Sequence, residues 1–167
     1  MTETNGYSEQ LALNVVAAIW EKKGFDVVAL RVKEIVQYTD FMVIASARNE
    51  RQAAAIADNV EHEVREKLQQ KPIGEEGRRA GRWVLIDYGD IVVHIFHRPV
   101  RDYYELERLY ADAPRLPLQE PTWVHEVDDG DPTAGEEYDE LVWQGAKWAE
   151  GDAEALAEDP DEPEAAE

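Results

Sequence analysis

The charge of this chain is divided so unevenly that only part of it can be expected to fold. Residues 1–110 carry 15 Lys/Arg against 18 Asp/Glu, whereas residues 111–167 carry 2 against 19. The first segment is near neutral at −3, and the second holds −17 of the total −20. Like charges at that density repel one another and offer too little apolar surface to offset the entropy of ordering a chain. Pro114, Pro117, Pro121 and Pro132 interrupt the start of the second segment, and residues 150–167 are almost entirely Asp, Glu, Ala and Pro. The prediction is one domain over residues 1–113 and an acidic, largely disordered tail over 114–167. The only element expected in the tail is a short amphipathic helix over 136–149, with Leu141, Val142, Trp143 and Trp148 on its apolar side.

Within the first segment, the hydrophobic periods predict an α/β domain. Leu11, Val15, Ala18 and Ile19 share one face of a helix over 8–23, with Ser8 as N-cap and Gly24 as its C′ stop. Residues 26–31 are rich in β-branched side chains and read as a strand. Residues 41–46 (FMVIAS) are a nearly continuous apolar run, as in a strand buried on both faces. Asn49 and Gln52 have the spacing of a capping box. The helix that follows, over 50–70, aligns Ala53, Ile56, Ala57, Val60, Val64 and Leu68. Residues 71–82 contain Pro72, Gly74, Gly77 and Gly81 and read as a loop. Strands over 82–87 and 90–97 then form a hairpin about Tyr88-Gly89, and Pro99 ends the second of them. A last helix spans 101–110. The order α-β-β-α-β-β-α gives a small mixed sheet flanked by helices.

Composition excludes several classes of function. There is no run of about 20 apolar residues of the kind that crosses a bilayer, and Met1–Gln10 lacks the basic-then-apolar pattern of a signal sequence. The expected location is the cytoplasm. The absence of cysteine removes disulfides, thiolate nucleophiles and cysteine-based zinc sites. The acidic balance opposes autonomous binding to phosphate backbones, so no direct sequence-specific nucleic-acid binding is expected.

Three constellations resemble chemistry. Asp87 and Asp90 would face each other across the hairpin and could hold a divalent cation or share a proton. His94, roughly 13 Å along the strand from Asp90, lies too far away to complete a shell. Turn-flanking aspartates more often cap their own backbone, so neither a metal site nor a catalytic site is assigned and no cofactor is expected. Arg78, Arg79 and Arg82 lie among the glycines of the 71–82 loop and could touch phosphate, but no P-loop or dinucleotide fingerprint is present. The only serines are Ser8 and Ser46, and neither has a histidine nearby in sequence. The aromatic residues are more informative. Trp83 at a strand start and Tyr88 at a turn tip are both positions where exposure is expected, and exposed aromatics beside arginine are common interface anchors.

Four segments occur in order: Thr39-Asp40-Phe41-Met42-Val43-Ile44, Gln52 through Asp58, Trp83 through Phe96, and Arg101-Asp102-Tyr103-Tyr104-Glu105-Leu106-Glu107. Together they resemble the ribosomal silencing factor family, also called Iojap-like, over roughly residues 8–113. The chain departs from that pattern at Ser46-Ala47, at Asn49 and at Leu109-Tyr110. The resemblance implies a fold like that of nucleotidyltransferases but without their catalytic carboxylates, a non-enzymatic role and a tendency to form homodimers. It implies binding to ribosomal protein fourteen of the large subunit, which blocks joining of the small subunit and lowers translation. By position it assigns Trp83, Tyr88 and Tyr104 to the ribosomal-protein contact, and Asp87, Gly89 and Asp90 to the motif that holds that surface in shape. The alternatives are a metal-dependent nucleotidyltransferase and a protein-binding module unrelated to ribosomes.

Overall fold

The computed structural model describes residues 3–123, and the helix expected over 136–149 lies outside them. Helix α1 spans Glu3–Glu21, strand β1 Phe25–Arg31, β2 Phe41–Ala47 and α2 Glu50–Leu68. Strands β3 (Gly74–Glu76), β4 (Trp83–Asp87) and β5 (Ile91–His97) follow, then α3 (Arg98–Tyr104) and a 3-10 helix over Leu106–Tyr110. The five strands form one sheet in the order β1-β2-β5-β4-β3. Only β2 and β5 run parallel; every other neighbouring pair is antiparallel.

The sheet is built around its two most apolar strands. Every residue of β2 and of β5 is buried, as the unbroken apolar run of β2 requires. Alternation divides their side chains between two cores. Phe41, Val43 and Ala45 of β2, with Ile91, Val93 and Ile95 of β5, face α1 and α2. Met42 and Ile44 of β2 and Phe96 of β5 face the other way, toward Val100, Leu106 and Tyr110. Each fully buried Ile, Val or Phe contributes about 1.5–3 kcal/mol relative to exposure, so these two strands anchor both layers.

The helix ends show how local sequence fixes the layers. Helix α1 begins at Glu3, ahead of the predicted start. Ser8 therefore lies inside the helix and does not cap it; its buried hydroxyl donates to Asp40 Oδ2 at 2.6 Å and ties α1 to the segment entering β2. At the other end, Lys23 and not Gly24 occupies the left-handed position, with φ 66°. The Gly24 and Lys23 N–H groups bond back to the carbonyls of Ile19 and Trp20, at 3.0 and 2.9 Å, which is a Schellman closure. Glycine is needed at position 24 for space, because a Cβ there would lie 2.3 Å from Ile19 Cγ2. At the start of α2, Asn49 accepts from the Gln52 N–H at 2.7 Å, and the Gln52 side chain accepts from the Arg48 N–H at 2.7 Å. The Gln52 amide also donates to the carbonyls of Lys22 and Lys23, joining the ends of α1 and α2.

Three further predicted features change. The 71–82 loop contains β3, a three-residue exposed strand on the edge of β4. The single helix expected over 101–110 is two pieces, α3 and the 3-10 helix, divided where Glu105 turns left-handed with φ 48°. The hairpin turn is shifted by one residue. The Tyr88 N–H bonds to the Ile91 carbonyl at 2.9 Å and Asp87 pairs with Val92, so the two turn residues are Gly89 and Asp90. Gly89, with φ 84°, occupies the first of these positions, where glycine is preferred.

Residues beyond 113 continue in contact with the domain. The Arg31 N–H bonds to the Pro114 carbonyl and the Leu116 N–H to the Ala29 carbonyl, both at 2.8 Å. Leu116 and Leu118 pack against the helix-side core. This segment covers the free edge of β1, where an uncovered strand would invite pairing with another chain.

Candidate functional site

The helices cover one face of strands β1, β2, β4 and β5 and the other face of the sheet only in part. Along β4, Val84 and Ile86 are buried beneath the helices, whereas Trp83, Leu85 and Asp87 remain half-exposed on the opposite face. The pairing register sets Trp83 beside Phe96, Leu85 beside His94 and Asp87 beside Val92. Helix α3 follows β5 directly and adds Tyr103 and Tyr104, which are 45% and 39% exposed.

Trp83 is the centre of this face. Its ring stacks on Phe96 with centroids 4.8 Å apart and lies 4.9 Å from Tyr104 at a tilt. Tyr103 meets Tyr104 edge-on at 5.2 Å. The Trp83 indole N–H donates to His94 Nδ1 at 3.0 Å. His94 is buried, and burial pushes its pKa down to about 4. It is therefore neutral near pH 7, with its proton on Nε2 because Nδ1 is the acceptor. The result is a half-exposed aromatic strip whose central indole N–H is already bonded. Such a strip suits recognition of a protein surface, where rigid aromatics contribute contact area at low entropic cost.

The predicted site residues separate into two groups. Trp83 and Tyr104 come together on the open face. Tyr88 does not join them. It lies on the helix side, 2% exposed, where its hydroxyl has no hydrogen-bond partner. The expectation of an exposed aromatic at the turn tip is thus corrected, because the alternation that buries Val84 and Ile86 continues through residue 88 and takes Tyr88 to the same face. Asp87, Gly89 and Asp90 shape the turn. Asp87 Oδ1 accepts from the Gly89 N–H at 2.8 Å, and the Asp90 carbonyl accepts from the Asp40 and Phe41 N–H groups at 2.8 and 3.2 Å. Asp87 and Asp90 do not face each other across the ladder, since Asp87 pairs with Val92. Among the described residues, no group of three His, Cys, Asp or Glu side chains could hold a metal ion.

Two arginines of the basic cluster, Arg78 and Arg82, are engaged elsewhere. Arg78 bridges Asp58 at 2.8 Å, Glu61 at 2.9 Å and Glu75, and Arg82 Nε lies 3.4 Å from Glu50. These arginines fasten β3 and its loop to α2 and are not a free phosphate cradle. Glu75 and Glu61 are hydrogen-bonded to each other, and burial with that contact pushes Glu75 up to about 7. Sequence reasoning also misses Arg101. It is buried at the start of the α3–3-10 break and donates to the Asp26 carbonyl at 2.6 Å, to Ser46 Oγ at 2.8 Å and to Glu107 at 2.5 Å. By joining β1, β2 and the 3-10 helix, it fixes α3 and hence Tyr104 relative to the sheet.

The chain is similar to known proteins. A family model described as "Ribosomal silencing factor during starvation" (RsfS) matches residues 6–142. A ribosomal silencing factor of Halalkalibacterium halodurans is 44% identical over 113 residues, covering 66% of this chain and 91% of the relative. A more distant relative, from Mus musculus, is named for mitochondrial assembly of the ribosomal large subunit and is 28% identical over 99 residues, covering 58% of this chain and 43% of the relative. A crystal structure of a Chromobacterium violaceum protein superposes with a TM-score of 0.60 at 31% identity, covering 68% of this chain and 89% of that one. The fold, the order of the motifs and these matches lead to one assignment: the chain belongs to the ribosomal silencing factor family.

Proposed function

We propose that the protein binds the large ribosomal subunit at ribosomal protein fourteen through the open aromatic face, prevents the small subunit from joining and thereby represses translation. The observation that carries this reading is the Trp83–Tyr104 strip, which is half-exposed, uncharged and in ring-to-ring contact. The names of the relatives support a ribosomal partner, and that of the mouse protein supports the large subunit. The charge distribution supports a protein contact over bare RNA, because the −17 of residues 111–167 opposes approach to phosphate.

The action is steric, so it requires no catalytic group. Trp83 and Tyr104 make the contact, while Asp87, Gly89 and Asp90 hold the adjacent turn in shape and Tyr88 supports it from the core. The acidic tail restricts the pose by repelling rRNA. When free, the protein pairs with a second copy in the cytoplasm.

Co-sedimentation with isolated subunits tests the reading. Wild type is expected to travel with large and not small subunits, and Tyr104→Ala, at an exposed position, to weaken this about tenfold, within the range for an interface aromatic. Equal partition of wild type between the two subunits would refute it.

A further inference from the structure

We infer that His94 is a positioning residue for the docking face: by accepting the Trp83 indole N–H it selects the one ring orientation of Trp83 that the partner recognises. This inference rests on the docking reading above and adds a residue that makes no direct contact with the partner.

The geometry carries it in three steps. First, stacking does not direct the indole N–H of Trp83. Ring contacts with Phe96 and Tyr104, whose centroids lie 4.8 and 4.9 Å away, hold the ring but give its N–H no partner. Only the hydrogen bond is directional, and its acceptor is His94 Nδ1 at 3.0 Å. Second, His94 is an expensive choice for mere filling. Its Nε2 is buried with no hydrogen-bond partner, a loss that a phenyl ring at the same place would avoid. The imidazole is retained on a strand whose other buried positions include Val92, Val93, Ile95 and Phe96. Third, the acceptor is constant. Burial holds His94 neutral near pH 7, so Nδ1 keeps its lone pair and the indole N–H is never opposed by an imidazolium. With the ring fixed in the free protein, docking need not order it, which favours binding.

Two variants separate orientation from bulk. His94→Phe keeps a ring and removes the acceptor. His94→Asn loses the ring but sets Oδ1 close to the place of Nδ1. The Trp83 indole N–H resonance is followed by 15N NMR of the full chain, assigned by its disappearance in Trp83→Phe, and binding to large subunits is measured by co-sedimentation. The expected result is that His94→Phe moves the indole resonance, speeds its hydrogen exchange and weakens binding about fivefold, the factor that one hydrogen bond controls, while His94→Asn restores both. If His94→Phe and His94→Asn weaken binding equally, His94 only fills space and the inference is overturned. If Trp83→Ala weakens binding but His94→Phe does not, the positioning role fails and the docking face stands. If Trp83→Ala binds like wild type, the docking reading fails and takes this inference with it.

Discussion

The contact between β3 and α2 makes a prediction about pH that can be worked from the structure. Glu75 on β3 shares a hydrogen bond with Glu61 on α2, beside Arg78 and with Asp58 and Arg65 nearby. Burial, then the Glu61 contact, raises Glu75 from 4.5 to about 7, whereas Glu61 is lowered through Glu75 and Arg78 despite its own burial. Between pH 4.5 and about 7 the folded chain holds a proton on Glu75 that the unfolded chain has already released. Stability contributed by this group must therefore fall as pH rises through that window. Each tenfold difference in proton affinity between the folded and unfolded chain corresponds to about 1.4 kcal/mol. With side chains 25% and 23% exposed, solvent screening reduces the effect to about 1–2 kcal/mol. Glu61 acts oppositely and at lower pH, since its stabilisation is lost as pH falls below 4.5. Glu75→Gln mimics the protonated form and abolishes the upper titration. Urea denaturation of wild type and Glu75→Gln at pH 5 and pH 8 is the assay. The variant should match wild type at pH 5 and exceed it by about 1–2 kcal/mol at pH 8. An identical difference between the two proteins at both pH values would refute the shared-proton account.

Three further outcomes follow from single contacts. Asn49→Ala removes the acceptor at the start of α2 and should cost about 1 kcal/mol in a denaturant titration. Tyr88→Phe deletes a buried hydroxyl that has no partner, so stability should be unchanged or rise by about 1 kcal/mol, and a loss of that size would mean the hydroxyl is bonded. Arg101→Met breaks the links to Asp26, Ser46 and Glu107 and should cost about 3 kcal/mol by thermal melting, with Tyr104 losing its fixed place in proportion.

What is legible in the sequence follows the strength of the periodic signal. Strands β2 and β5 and helix α2 can be read because each presents an unbroken or regularly spaced apolar pattern, and the Asn49–Gln52 cap marks where α2 begins. Strand β3 escapes because Gly74-Glu75-Glu76 has no apolar side chain and exists only by pairing with β4. The break between α3 and the 3-10 helix escapes because Glu105 takes a left-handed conformation usually signalled by glycine. Likewise, Lys23 takes the place expected of Gly24. The costliest error is one residue wide. Reading the turn as Tyr88-Gly89 puts Tyr88 on the surface and sets Asp87 opposite Asp90. With Gly89-Asp90 as the turn, counting back along the ladder pairs Leu85 with His94 and sets Trp83 on the same face as His94. The Trp83–His94 contact is legible with either turn, since the misplaced one would set Trp83 directly opposite His94 and the observed one sets the two diagonally on one face. Arg101 gives no local signal, since its partners lie as far as 75 residues away in sequence.

The central claim is that the aromatic face prevents subunit joining, and a joining assay with purified subunits tests it most directly. Light scattering follows the association of small with large subunits after the large subunits have been incubated with the protein. Wild type at saturation is expected to suppress association, and Trp83→Ala, confirmed as folded by circular dichroism, to leave it close to the rate without protein. Normal association in the presence of saturating wild type, or equal suppression by folded Trp83→Ala, would contradict the account.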